Sequence, residues 1–121
     1  MYNINEVLEE IPQKTEASPE KLEAVKDLLT KLRPMSQEIG LSIPHTKAVI
    51  IGIHLLAFLR RVDQDEYLPE IEPEMFEEIS AESIDLSKRL FAGYNMPPQR
   101  KLDDAEVFFL AVHFEAAKTN L

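Results

Sequence analysis

The chain has 121 residues, 45% of them hydrophobic, which is the length of one domain with enough apolar surface for a single core. It contains no cysteine, so disulfides, thiolate catalysis and thiolate metal sites are excluded and the chemistry is left to histidine, carboxylates and arginine. Thirteen basic against twenty-two acidic residues give a formal net charge of −9, the wrong sign for coating a phosphate backbone, and direct nucleic-acid binding by this chain is not expected.

Asn3 can cap a first helix through Ile11, in which Ile4, Val7, Leu8 and Ile11 share one apolar face. Pro12 is expected to end it, so residues 1–14 read as a short N-terminal helix and linker. Ser18-Pro19 is a start signal with proline in the first turn, and Leu22, Val25, Leu28, Leu29 and Leu32 mark a second helix that Pro34 is expected to close. The stretch from Pro34 to Ile43 reads as a connection with a turn of helix.

A third helix is expected from about Pro44 to Arg61 or Val62. Its run Ala48 to Leu59 has one ionisable side chain, His54. A helix apolar on every side is buried by neighbouring helices, which makes this one the spine of a bundle. Twelve such residues fall short of the roughly twenty needed to cross a bilayer. With no basic segment leading into an apolar region and a cleavage site, a cytoplasmic location is expected and no membrane span.

After an acidic loop, Asp63 to Glu72, Pro73 restarts helix with Met75, Phe76, Ile79, Ile84, Leu86 and Leu90 on one stripe, and Gly93 stops it. Asn95 to Lys101, with Pro97-Pro98, reads as an exposed loop. Asp103 and Glu106 form a D-x-x-E variant of the capping box ahead of a strongly apolar fifth helix. No segment alternates with period two, so the fold class is all-α: one domain over 1–121, a compact five-helix bundle around the third and fifth helices.

Each of those two helices carries a histidine beside a charge. His54 lies seven residues after Lys47 and seven before Arg61, and His113 lies seven after Glu106, so each set shares roughly one stripe. If the stripes face each other, the bundle holds two imidazoles that an acid and a guanidinium could orient. The ordinary reading of a lone histidine in an apolar helix is a satisfied core residue. His45, in the first turn of the third helix, reads as a surface or capping residue, and its spacing of nine from His54 does not suit a helical metal-ligand pair. Glu74, Glu77, Glu82 and Asp85 spell E-x-x-E then E-x-x-D, which resembles the magnesium pattern of helical nucleotide pyrophosphohydrolases. Those enzymes place the pairs on different helices. Here they fall on one predicted helix, where a charge run is ordinarily a solvated face, so neither a metal nor a cofactor is expected.

At His54 and His113 the sequence is similar to the PTS regulation domain (PRD) of bacterial sugar-responsive transcription regulators and antiterminators. Of the family pattern D-H-x-x-x-A-x-x-R, Ile53-His54-Leu55-Leu56-Ala57-Phe58-Leu59-Arg60-Arg61 keeps the histidine and the arginine seven residues on, with isoleucine in place of the aspartate. In the second motif, Asp104 to His113 keeps an acidic start, the glutamate seven before the histidine and the apolar filling between them. The resemblance covers residues 15–120 and implies a PRD-like helical bundle, a homodimer and a switch rather than an enzyme. It also implies phosphorylation at His54, His113 or both by the histidine phosphocarrier protein or a sugar-specific phosphotransferase component. On that reading Arg61 or Lys47 answers the phosphoryl charge, Glu106 orients His113, and the chain acts through protein–protein contacts. The alternatives are a small helical Mg-dependent nucleotide hydrolase using the acidic helix, and a helical interaction module that is never phosphorylated.

Overall fold

The computed structural model describes residues 1–118, so the last residues of the expected 1–121 and 15–120 spans lie outside it. Five α-helices follow one another: α1 Ile4–Lys14, α2 Pro19–Glu38, α3 His45–Asp63, α4 Ala81–Ala92 and α5 Asp104–Lys118. A 3-10 helix, Pro73–Glu78, precedes α4, and no strand occurs among the described residues. The all-α bundle is therefore observed, with α3 touching α1, α2 and α5 while α4 lies along α5 and against α2.

The start signals act as the residue types require. Asn3 Oδ1 accepts the Glu6 amide and Ser18 Oγ the Lys21 amide, satisfying donors that the first turn leaves unpaired. The proline stops do not. Pro12 and Pro34 both lie inside helices, which run on to Lys14 and Glu38. A proline near a helix end gives up one backbone bond, and burial of the apolar Ile11 and Leu32 close to the two prolines offsets that loss. What stops α2 is Gly40: at φ +69° it lets its own amide reach the Gln37 carbonyl and the Leu41 amide reach Ser36, a Schellman closure. Asp65, at φ 55°, closes α3 in the same way.

The predicted fourth helix is divided. Ser80 leaves helical geometry and turns its Oγ to the Ser83 amide, so the acidic pairs fall on either side of a break, Glu74 and Glu77 before it and Glu82 and Asp85 after. All four carboxylates are exposed, Glu82 is tied to Lys118 Nζ at 2.8 Å, and no group of metal-ligating side chains is assembled among the described residues.

One core joins all five helices. Val7 and Ile11 of α1, Leu28 and Leu32 of α2, Ile51 and Leu55 of α3, Leu90 of α4 and Phe114 of α5 are buried in it, and Phe58 stacks on Phe91 with centroids 4.7 Å apart. Tyr2 donates from its hydroxyl to the Leu29 carbonyl at 2.6 Å, and Gly52 is where α1 crosses closest, because a Cβ there would stand 2.7 Å from Ile11 Cδ1. At one end, Arg100 is buried on the Tyr67 ring, 3.6 Å from its centroid, with Asp65 Oδ1 4.0 Å away; this stacking pins the loop after α3 to the loop before α5.

Glu115 of α5 completes the cap of α4 by accepting from the Ser80 amide at 3.2 Å and from the Ser80 and Ser83 hydroxyls at 2.7 and 2.8 Å. These bonds hold its carboxyl below the usual range. Glu115→Ala should therefore cost about 1 kcal/mol of unfolding free energy, the typical worth of a lost cap. In the parent this contribution is present above the ordinary carboxylate pKa and is lost as pH falls through the depressed one. An unchanged urea midpoint for the variant at neutral pH would contradict this role.

Candidate functional site

α3 and α5 run antiparallel, and two contacts two turns apart fix how they sit. At one, Arg61 Nε donates to Glu106 Oε2 at 2.7 Å and Arg61 Nη2 to Glu106 Oε1 at 2.8 Å, a bidentate pair in which Glu106 is fully buried. At the other, the His54 and His113 rings meet edge to face with centroids 5.1 Å apart and planes at 63°. Seven residues separate Arg61 from His54 and seven separate Glu106 from His113, about 10.5 Å along each helix. Once the ion pair is made in antiparallel helices, the histidines are brought opposite each other.

Both rings are half-buried, and His54 Nε2 is buried with no hydrogen-bond partner. Burial, then the neighbouring His113 and Arg61, hold the His54 pKa down at about 4. His113 is also lowered, by burial and then by Lys47. At neutral pH both imidazoles are therefore uncharged, each keeping one nitrogen lone pair. The cations that act on them are Arg61 and Lys47, while the carboxylate of Glu106 is already engaged. These surroundings favour an added negative group over a metal cation.

The sequence-expected residues are thus gathered at one seam, with different partners. Glu106 makes its hydrogen bonds to Arg61 and none to His113, so the expectation that it orients that ring is corrected. It also does not fold back as a capping-box acid, because the guanidinium occupies both its oxygens. Arg61 in turn is bound to Glu106 and not free to await a phosphate. Lys47 is half-buried near His113. Ile53, where the related pattern has aspartate, lines a hollow against α1 with Glu10 and Lys14 and offers the imidazole no hydrogen bond. His45 stands apart, its Nε2 3.3 Å from Glu10 Oε2. One turn before each central histidine lies an exposed apolar side chain, Ile50 on α3 and Phe109 on α5, 46% and 37% exposed. Their spacing of four from each histidine places them on the histidine stripes in sequence, but spacing does not show that both stay exposed.

No family model matches the chain, and no curated protein matches it in sequence. Among solved structures, the chain is similar to the crystal structure of a PRD-containing transcription regulator from Lactobacillus casei ATCC 334, with a TM-score of 0.72 and 25% identity over 94% of this chain and 93% of that one.

Two outcomes test this geometry. His54 binds its proton more weakly folded, at about 4, than its ordinary 6.5, so stability is full above about pH 6.5 and declines as pH falls toward 4, by at most about 3 kcal/mol. Urea midpoints across that window should fall less steeply for His54→Gln than for the parent; parallel slopes would contradict the buried neutral ring. Arg61→Met and Glu106→Leu should each cost about 3 kcal/mol by stranding the other charge, and the double variant should recover much of that loss. Simple additivity in the double variant would show that the pair is not coupled.

Proposed function

We propose that this chain is a regulatory domain of transcriptional control, PRD-like in function as well as fold, whose state is set by phosphorylation of the His54–His113 pair. The carrying observation is the pair itself: two neutral imidazoles in edge contact, flanked by cations, at the seam of α3 and α5. Likeness across nearly the whole chain to a PRD-containing transcription regulator supports the regulatory reading and a non-enzymatic role.

The donor is a phosphohistidine protein of the sugar phosphotransferase system, either the histidine phosphocarrier or a sugar-specific component. An imidazole lone pair attacks the donor's phosphorus, a new N–P bond forms, and the donor's P–N bond breaks with its electrons leaving on the donor imidazole. That imidazole takes the proton released by the accepting ring. The product carries close to two negative charges in a half-buried seam. Lys47 is the cation placed to answer them on His113, since moving Arg61 would leave the buried Glu106 carboxylate unpaired.

The readout is a change in how an apolar face packs. Ile50 and Phe109 flank the histidines on the outward sides of their helices, and a second copy of the chain covers them in the unmodified state. No described helix is long and apolar enough to cross a membrane, and the acidic surface suits encounters with other proteins rather than nucleic acid.

Incubation with phosphoenolpyruvate and the general phosphotransferase components, followed by intact mass measurement, tests this reading. A phosphoryl-sized gain, lost when both His54 and His113 are replaced by glutamine, is expected. No gain with active donors, or a gain that survives the double replacement, would overturn it, and sedimentation as a monomer at high protein concentration would remove the second copy from it.

A further inference from the structure

We propose that the His54–His113 pair accepts one phosphoryl group at a time, so that modification of either ring closes the other. This rests on the proposed phosphorylation and concerns how the site is regulated.

The rings touch edge to face with centroids 5.1 Å apart, leaving no room between them for two tetrahedral groups. Nor can the helices easily part. The bidentate Arg61–Glu106 contact two turns away holds them in register, and the packing of Leu55, Leu110 and Phe114 holds them laterally. Charge acts in the same direction. Two groups of nearly two negative charges each, a few ångströms apart in a half-buried seam, repel strongly. Among the described residues, Arg61 and Lys47 are the cations that act on the rings, and the guanidinium of Arg61 makes both side-chain hydrogen bonds of a fully buried carboxylate. One ammonium therefore remains for one phosphoryl group.

The pair is in consequence an exclusive switch. A donor that modifies His54 and another that modifies His113 compete, and their effects cannot add on a single molecule. A regulator reading two sugar-dependent signals through this seam would report which donor arrived first.

The chemical step can be driven without a protein donor. With potassium phosphoramidate, an imidazole nitrogen attacks phosphorus, the N–P bond forms as the P–NH₃ bond breaks, and ammonia leaves, taking the proton that the ring's other nitrogen gives up. The full chain is treated in parallel with phosphoramidate and with phosphoenolpyruvate plus the general phosphotransferase components, then read by intact mass and by fragment mapping, which separates any modification of His45. A single increment is expected, found on His54 in some molecules and on His113 in others and never on both, with His54→Gln and His113→Gln each still gaining one. Mapping the unaltered chain keeps the test valid if a variant fails to fold. Two increments on the pair in one molecule would overturn exclusivity while leaving the switch reading intact. Modification confined to one histidine, with its glutamine variant unmodified, would also overturn it. No increment on either ring with either donor would remove the acceptor reading and this inference together.

Discussion

A carboxylate with no exposure to water, Glu106 at the head of α5, is tolerable because Arg61 reaches it with two hydrogen bonds. That pairing does more than satisfy a buried charge. It fixes the antiparallel register of the two most apolar helices, and because each histidine lies two turns from its helix's member of the pair, it dictates that the imidazoles meet. Whether such a pair adds net stability over an apolar replacement is a separate matter from its geometric role; a buried ion pair is better at specifying an arrangement than at stabilising one. Here it specifies the site.

The chemistry of the seam follows from that arrangement. Packing the rings together and away from water lowers both pKa values, and this keeps at neutral pH the uncharged form that can act as a nucleophile. Arg61 is held by Glu106, so Lys47, near His113, is the cation that would answer an added anion on the proposed reading. Ile50 and Phe109, one turn away, are exposed, and on the proposed reading an apolar contact made across them would be sensitive to a dianion at its edge. Structural likeness to a PRD-containing transcription regulator supports a regulatory role, and the phosphorylation proposed for the seam rests on its local chemistry.

Much of this was legible in the residues, and the failures have physical causes. The spacing of apolar positions located the helices, and the caps at Asn3 and Ser18 work as their side-chain oxygens require. Charge and histidine at intervals of seven marked the stripes that do meet. Proline misled because its cost is one backbone bond, which apolar burial at Ile11 and Leu32 offsets; the true stop of α2, Gly40, lies within a stretch that reads as connection. Ser80 looked like an ordinary helix residue, since the carboxylate that completes its cap, Glu115, lies 35 residues away. Glu106 was assigned to its own helix's histidine or cap because sequence displays local spacing only, and its actual partner lies 45 residues back on α3. Arg100 carried no signal at all, its burial against Tyr67 being a product of two loops that spacing cannot bring together.

The account's central claim is that a charge placed on the imidazole pair acts through the α3–α5 seam. Its most direct test is the amide nitrogen–proton spectrum of the assigned protein before and after phosphorylation. Shifts should concentrate along Lys47 to Arg61 and Glu106 to Ala117, with α1 and the first half of α2 little changed. Phosphorylated protein whose amides in those two stretches do not move, or move no more than those of α1, would contradict it.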